Sequence, residues 1–220
     1  SYFSKTSRLG RVNTGSVAQR LADTPGVART ILDAARAARG MPGADPRAMS
    51  HSWLFTGPPG SGRSLAALDF AAALMCTDPE EPGCGRCEAC QAVLDAKQHT
   101  DLVLVDPQEV IIPVDTVREV IGRAASLPTV APWRVVIFNN ADRLNNNGAN
   151  ALLKTVEEPP ARTVIIMCAP SDAPEDFSQT LRSRCRHLYI PSPSVESITA
   201  QLVSEGASDH DAHLAALTSL

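Results

Sequence analysis

Short apolar runs alternate along the chain with longer stretches that have the composition of helices. The apolar runs are rich in β-branched, aliphatic and aromatic residues, which favours strands buried inside a sheet. Because strands and helices alternate, their order predicts an α/β fold in which helices cover both faces of a mostly parallel sheet. Strands are predicted at 51–56, 101–105, 134–138, 163–168 and 187–190, and helices at 25–40, 65–75, 113–125, 148–156, 194–204 and 208–217.

Two of the helix starts carry residues that are typical of caps. Thr24 precedes Pro25, and proline is favoured at the first position of a helix because it lacks the N–H that would go unbonded there. Asp115 is a candidate cap for the helix at 113–125. These signals predict where the two helices begin.

Three parts of the chain differ in this pattern. Residues 1–20 show no periodicity, which predicts a flexible leader or a vector-derived remnant. Residues 21–190 carry the alternating pattern of the α/β domain. Residues 191–220 hold only helical patterns and end without the polar finish of a complete domain, so we expect the truncated beginning of a second, helical domain.

Composition narrows the class of protein. The 220 residues, 44% of them hydrophobic, suit one or two domains with a substantial core. The net charge of −4 gives no overall basic field that would indicate nucleic-acid binding. No apolar run is long enough for a membrane span, and no signal-peptide pattern opens the chain. Together with cysteines of the metal-binding type, these features predict a cytoplasmic location.

A glycine-rich loop after the first predicted strand has the spacing of a phosphate-binding loop, G-x-x-x-x-G-K-[ST]. In such loops backbone N–H groups cradle the phosphates, the lysine adds charge and the hydroxyl ligates Mg²⁺. Arg63 stands in place of the lysine, and its planar guanidinium is not interchangeable with an ammonium at a tight site. We therefore predict a degenerate loop that binds ATP and Mg²⁺ weakly or not at all; a plain glycine-rich turn is the alternative. The loop residues are Gly57, Gly60, Gly62, Arg63 and Ser64.

The strand predicted at 134–138 ends where an ATPase needs an Asp-Glu pair. Asn139 and Asn140 occupy those positions. A neutral amide can neither act as a carboxylate base nor add negative charge to a metal site. Two losses on a preserved frame favour a subunit that keeps the shape of an ATPase but leaves hydrolysis to others.

Four cysteines with the spacing C-x7-C-x2-C-x2-C follow the helix after this loop. Thiolates two residues apart can share one tetrahedral ion, and four thiolates leave no open coordination position. The spacing therefore predicts a structural zinc module at 76–90 rather than a catalytic metal. Disulfides are less favoured, because nothing marks the chain as secreted. The candidate ligands are Cys76, Cys84, Cys87 and Cys90, whereas Cys168 is predicted to be a small buried core residue.

Three arginines precede the last predicted strand. Arg184 is the centre of a Ser-Arg-Cys sequence, and Arg182 and Arg186 flank that sequence. One interpretation is structural, since arginines at strand ends are often solvated or paired locally. The other is an arginine finger, a guanidinium that enters the site of an adjacent subunit and stabilises the phosphoryl group in transfer, with an effect of about 10³–10⁵ in rate.

These motifs in combination resemble the AAA+ clamp-loader subunits of bacterial DNA polymerase III. The resemblance covers residue 21 to the C-terminus, and the cysteine module resembles the zinc module of that family. Within the family, Arg63 and the Asn139–Asn140 pair favour the delta-prime class, because the ATPase class keeps lysine and Asp-Glu. The matching segments are 57–64, 135–142, the Leu-Leu-Lys…Glu-Glu-Pro-Pro segment at 150–160, and 181–186.

The resemblance implies an AAA+ sheet with an inserted zinc module, followed by the start of a small helical lid domain. It implies a non-hydrolysing subunit of a hetero-pentamer with clamp-loader ATPase subunits and a delta subunit, which loads the sliding clamp onto primed DNA. By the same resemblance, Arg184 completes the site of a neighbouring ATPase subunit. DNA contact is expected only through the assembled complex, and no membrane partner is expected. No segment resembles the family's collar domain, and residues 21–25 replace its Val-Gly-Gln motif, which agrees with poor nucleotide binding.

Two other interpretations stay open. The chain is a divergent clamp-loader ATPase if Arg63 and another carboxylate, such as Asp142, still support ATP binding and turnover. It is a zinc-dependent nucleic-acid or protein adaptor outside replication if the cysteine module alone carries the function. Nucleotide binding separates the first of these from the delta-prime interpretation, and co-purification with a clamp-loader ATPase separates the second.

Overall fold

A parallel sheet of five strands forms the centre of the protein, which is described by a computed structural model over residues 15–204 and 206–218. Every paired neighbour in the sheet runs parallel, and the strand order is β2-β3-β4-β1-β5. The predicted α/β architecture is therefore confirmed. The strands are β1 (Ser52–Thr56), β2 (Leu102–Val105), β3 (Arg134–Phe138), β4 (Thr163–Ala169) and β5 (Arg186–Tyr189).

Helices join these strands and cover both faces of the sheet. No described helix is both long and apolar enough to cross a membrane. The helices are α1 (Val17–Arg20), α2 (Pro25–Ala38), α3 (Arg63–Met75), α4 (Glu88–Leu94), α5 (Val114–Ala124), α6 (Asn146–Glu157), α7 (Gln179–Arg182), α8 (Val195–Ser204) and α9 (Asp209–Thr218), with short 3₁₀ turns at Pro46–Ala48 and Ala141–Arg143.

The alternation of side chains along the strands divides the core into two layers. On one face Trp53 and Phe55 pack with Phe70 of α3, and the ring centroids of Trp53 and Phe70 lie 5.2 Å apart. On the other face Leu54 belongs to a cluster with Leu152 of α6. Burial on both faces explains why β1 to β4 are mostly apolar runs rather than alternating patterns, whereas the edge strand β5 is polar and mostly exposed.

The caps of two helices differ from expectation. The helix after Thr24 begins at Pro25 as predicted, but the Thr24 side chain makes no capping hydrogen bond. Pro113, not Asp115, holds the cap position of α5, because the helix begins earlier than an Asp115 cap requires. The carboxylate of Asp115 instead pairs with Arg118 one turn later, at 3.1 Å.

The expected flexible leader at 1–20 is described only from residue 15, and residues 1–14 lie outside the described part. Residues 17–20 form the short helix α1. Ser16 and Gln19 cap it reciprocally through side chain and backbone. Val17 is fully buried and its N–H donates to the carbonyl of Gly83 at 2.8 Å. This part of the stretch is therefore packed, contrary to expectation. The start of a lid domain after residue 190 stays a prediction; α8 and α9 there pack on each other.

A buried carboxylate ties β2 to the loop before β3. Asp101 is fully buried and accepts hydrogen bonds from the backbone N–H groups of Thr129, Val130 and Ala131, at 2.7–2.8 Å. The guanidinium of Arg134 donates a fourth bond at 3.0 Å. Burial by itself would raise the pKa of Asp101, but these donors outweigh it and hold the pKa at about 2.

We expect Asp101→Asn to lower the free energy of unfolding by about 3 kcal/mol, because it leaves the buried Arg134 without its counter-charge. The depressed pKa means that this stabilisation is complete above the ordinary value of 3.8 and is lost as pH falls towards about 2. Urea unfolding between pH 7 and pH 2.5 should show the difference between the two proteins shrinking with acid. Asp115→Asn, at an exposed pair, should cost under about 0.5 kcal/mol. Equal costs for the two variants would contradict the prediction.

Candidate functional site

The glycine-rich loop connects β1 to α3 at the carboxyl edge of the sheet, which is where parallel sheets bind ligands. Gly60 and Gly62 have φ of +82°, a conformation that favours glycine. A Cβ at Gly57 would lie 2.4 Å from the carbonyl oxygen of Ile190. The loop path therefore depends on its glycines, as in a phosphate-binding loop.

The side chain of Arg63 folds back over this loop. Its Nη1 donates to the carbonyl oxygen of Gly57 at 2.7 Å, and its Nε is buried with no hydrogen-bond partner in the described structure. The hydroxyl of Ser61 is also buried and unpartnered there. Behind the loop, burial raises the pKa of the Cys168 thiol to about 12, and Cys168 is fully buried. Cys168 is therefore a core residue, as predicted.

Asn139 and Asn140 lie at the same edge of the sheet as the loop. Only β4 separates β3 from β1, so the two motifs are about 10 Å apart. The amide of Asn139 donates to Asp106 Oδ1 at 3.4 Å, and a carboxylate in its place would face a like charge. Asn140 has φ of +50°, which asparagine tolerates better than most residues. The glycine-rich loop and this pair of amides therefore share one edge of the sheet.

A cavity of about 540 Å³ adjoins the loop, between the α1–α2 turn and the segment that leads into α8. Asp69 of α3 lines it, is buried, and pairs with the guanidinium of Arg20. Burial raises the pKa of the Asp69 carboxyl, and Arg20 opposes that shift. On the other side of the cavity, the hydroxyl of Ser197 in α8 donates to the carboxylate of Asp23.

The four cysteines come together as the spacing predicted, with all four Sγ atoms within 4.8 Å of one another. The Sγ atoms of Cys76 and Cys87 are 3.9 Å apart, and a tetrahedral zinc with bonds of about 2.3 Å requires about 3.8 Å. Backbone N–H groups of Asp78, Cys87 and Cys90 each approach a cluster sulfur at 3.4 Å. The neighbouring Cys90 thiol lowers the pKa of Cys76 to about 4. This donor set fits a metal such as zinc.

The cysteine module is packed against both α1 and α3. Gly83 and Gly85 have positive φ, and a Cβ at Gly85 would lie 1.9 Å from the carbonyl oxygen of Gly15. A Cβ at Gly83 would lie 2.4 Å from the side chain of Val17. The sequence gave no sign that α1 docks on this module, because α1 has four residues and is too short for a periodic pattern.

The arginine segment lies at the opposite edge of the sheet from the glycine-rich loop. Trp53 of β1 is level with Arg186 of β5, so Arg184 precedes the amino end of these strands. The loop follows their carboxyl ends, and a strand of this length spans roughly 16 Å. Arg184 is therefore placed away from the loop of its own chain.

Three hydrogen bonds hold the guanidinium of Arg184, and its side chain is 35% exposed. Nε donates to Glu157 Oε1 at 2.6 Å. Nη1 donates to the carbonyl oxygen of Thr180 at 2.7 Å and to the hydroxyl of Ser183 at 3.0 Å. The sequence did not predict the contact with Glu157, although Glu157 belongs to the segment that resembles clamp-loader subunits.

The two flanking arginines are engaged locally. Arg182 donates from Nε to the carboxylate of Asp172 at 2.8 Å. The guanidinium of Arg186 lies over the indole of Trp53, 4.8 Å from the ring centroid. Local pairing, the structural interpretation of the arginine segment, therefore describes Arg182 and Arg186. Arg184 is also bonded within its own chain, through Nε and Nη1.

Comparison with known families decides the assignment. The family model described as DNA polymerase III, delta subunit, matches residues 44–194. The chain belongs to this family. The sequence motifs indicated a resemblance to the delta-prime class of the DNA polymerase III clamp loader. Similar proteins that are themselves delta' subunits confirm it.

DNA polymerase III subunit delta' of Pseudomonas aeruginosa is 36% identical over 165 residues, which are 72% of this chain and 49% of that protein. The delta' subunit of Escherichia coli is 35% identical over 170 residues, 76% of this chain and 50% of that protein. Subunit gamma/tau of Mycobacterium tuberculosis H37Rv is 33% identical over 166 residues, 73% of this chain and 28% of that protein. The chain spans about half the length of its delta' relatives.

Solved structures support the fold. The Holliday junction branch migration motor RuvB of Thermotoga maritima superposes with a TM-score of 0.53 over 88% of this chain and 55% of that one, at 16% identity. A likeness at this identity shows the fold alone. The predicted AAA+ sheet, flanked by helices and carrying a cysteine cluster that can hold zinc, is confirmed.

Proposed function

We propose that the chain is a non-hydrolysing, delta-prime-type subunit of the clamp loader of DNA polymerase III. It acts in the cytoplasm, in a hetero-pentamer with ATPase subunits and a delta subunit that loads the sliding clamp onto primed DNA. Its Arg184 serves the ATPase site of a neighbour. The observation that carries the proposal is the placement of Arg184, partly exposed, at the sheet edge opposite the chain's own phosphate loop.

The phosphate loop itself supports a non-hydrolysing role. The guanidinium of Arg63 is bonded to the carbonyl oxygen of Gly57, inside the loop that would have to enclose phosphate oxygens. The Asn139–Asn140 pair supplies neither a base nor a negative metal ligand. Asp142, the carboxylate that a divergent ATPase would need, is exposed in the 3₁₀ turn beyond β3.

We expect the purified chain to bind a non-hydrolysable ATP analogue and Mg²⁺ with a Kd weaker than about 1 mM, equivalent to about −4 kcal/mol. Equilibrium titration by calorimetry measures this directly. An Arg63→Lys variant is the matched comparison, because any binding that it gains shows how much the guanidinium alone blocks the loop. Micromolar binding by the unaltered chain would contradict the prediction and favour the divergent ATPase.

The cysteine module has a structural part in this function. Cys76, Cys84, Cys87 and Cys90 would hold Zn²⁺, which when bound supplies a cross-link between α3 and the loop that follows it. The Sγ atom of Cys90 lies 3.7 Å from the carbonyl oxygen of Ala72, so this ligand packs directly against α3. With four thiolate ligands, no coordination position is left for a substrate.

Reconstitution of the clamp loader from its source organism tests the proposal. We expect the chain alone to hydrolyse no ATP, and we expect the complex with this subunit to hydrolyse ATP and load clamps faster than the complex without it. The chain should also co-purify with the ATPase subunits. If it neither associates with them nor changes their hydrolysis, the clamp-loader proposal fails and a zinc-dependent adaptor becomes the better interpretation.

A further inference from the structure

Hydrogen bonds within the chain hold the guanidinium of Arg184 in one orientation but engage only two of its three nitrogens. Its Nε and Nη1 have three acceptors between them, on Glu157, Thr180 and Ser183. No residue in the described part of the chain accepts a hydrogen bond from the remaining nitrogen, Nη2. One edge of the guanidinium is therefore fixed, while the other carries two N–H donors without an acceptor.

We propose that Glu157 is a positioning residue for Arg184, one that holds the guanidinium so that Nη2 is presented to a phosphoryl group in the neighbouring subunit. The proposal rests on the proposed function of Arg184. It assigns a role to the first glutamate of the Glu-Glu-Pro-Pro segment. Glu157 does not touch the neighbour's nucleotide in this proposal; it acts through Arg184.

The contacts come from two different elements, so the orientation depends on tertiary structure. Glu157 is the last residue of α6, whereas Arg184 lies two residues beyond the end of α7. The Ser183 hydroxyl donates to the carbonyl oxygen of Thr180 at 3.0 Å and accepts from Arg184, so it is itself oriented. Cys185 packs against the core beside α6, and burial raises the pKa of its thiol to about 12. An anchored cysteine, an oriented serine and a carboxylate thus surround one arginine.

Orientation matters because a free arginine side chain has about 2 kcal/mol of rotamer entropy to lose when it engages a phosphate. Contacts already made in the unbound subunit remove part of that cost before the transition state forms. In an ordinary exposed ion pair, the arginine contacts one carboxylate. The guanidinium of Arg184 has three acceptors, which come from the end of α6 and from the α7 segment. The adjacent Arg182–Asp172 pair is of that ordinary kind, since Asp172 takes both of the Arg182 contacts.

The test is Glu157→Gln, compared with Glu158→Gln, in an assembled clamp loader whose other ATPase sites are inactivated, so that kcat reports the site beside this subunit. Glu158 is the next residue, is exposed, and its carboxylate accepts no described hydrogen bond. We expect Glu157→Gln to lower kcat at the adjacent ATPase site about tenfold, because a charge-assisted bond becomes a neutral one, with KM for ATP unchanged within about twofold. Glu158→Gln should stay within about twofold of the unaltered complex in both constants.

A double mutant separates positioning from general destabilisation. In an Arg184→Ala background, Glu157→Gln should lower kcat no further, because the group that it positions is gone. The Tm and the yield of assembled complex should be the same for Glu157→Gln and Glu158→Gln. A kcat loss that persists in the Arg184→Ala background, or that follows a loss of assembly, would overturn the positioning role.

The outcomes also distinguish this proposal from the proposed function. If Arg184→Ala leaves hydrolysis unchanged, the finger assignment fails and the positioning role fails with it. If Arg184→Ala lowers hydrolysis but Glu157→Gln behaves like Glu158→Gln, the finger stands and only the role of Glu157 is rejected. A rise in kcat with Glu157→Gln would also reject it, because Glu157 would then be holding Arg184 away from the neighbour.

Discussion

Arg184→Ala is expected to lower the rate of ATP hydrolysis at the neighbouring site of the assembled clamp loader by about 10³-fold, the lower end of what an arginine finger contributes. An arginine finger stabilises charge that develops on the transferring phosphoryl group, so we expect the removal of Arg184 to act on the transition state rather than on the binding of ATP. The appropriate measurement is single-turnover hydrolysis, or kcat in a complex whose other ATPase sites are inactivated, because other active sites would mask the loss in a steady-state assay of the intact complex.

Arg182→Ala is the matched control for this experiment. It removes a guanidinium two residues away that is already bonded to Asp172. We expect it to leave the single-turnover rate within about threefold of the unaltered complex. Comparable losses in the two variants would mean that the segment is needed for assembly and that Arg184 has no special part in hydrolysis.

Removal of the metal is expected to have the largest effect on stability. Structural zinc contributes about 10–16 kcal/mol of apparent binding free energy in small zinc domains, and loss of even about 5 kcal/mol would lower the Tm of a chain of this size by roughly 10–20 °C. The cause is local: the loop at 77–87 has few apolar side chains of its own, and the buried thiols would be left without a common partner. Metal analysis should give one zinc per chain.

Cys90→Ser and Cys185→Ser form a matched pair for this measurement. Both replace a sulfur with an oxygen, but only Cys90 belongs to the four-sulfur cluster. We expect Cys90→Ser to lose the zinc and show the reduced Tm, and Cys185→Ser to keep one zinc per chain. Because thiolates must lose their protons to bind metal, zinc affinity should fall as pH is lowered. An unchanged Tm after complete chelation would contradict a structural role.

The elements that the sequence predicted well are those whose signal is local and long. The strands β1 to β4 are mostly apolar runs that the sheet buries, so their positions follow from composition. The edge strand β5 is exposed and polar, and its sequence signal is correspondingly weaker. The cysteine cluster could also be predicted, because two of its intervals are short enough to fix the ligands on one turn. By contrast, α1 has four residues and α4 lies among the cysteine ligands, where metal spacing obscures the helical pattern.

The parts of the site that could not be predicted depend on contacts between distant residues. Glu157 and Arg184 are 27 positions apart, and Arg20 and Asp69 are 49 positions apart. Nothing in the spacing of either pair predicts that they meet. The substitution of lysine by Arg63 was visible, but the bond from its guanidinium to Gly57 depends on the folded path of the loop.

The short helix α1 links the cysteine module to the wall of the cavity. At its first residue, α1 packs on Gly83 of the cysteine module, and at its last residue Arg20 neutralises Asp69 in the cavity wall. Unfolding of the module would withdraw the support of α1 and leave Asp69 buried without its cation. Chelation of zinc should therefore also perturb the wall of the cavity, a part of the protein that contains no metal ligand.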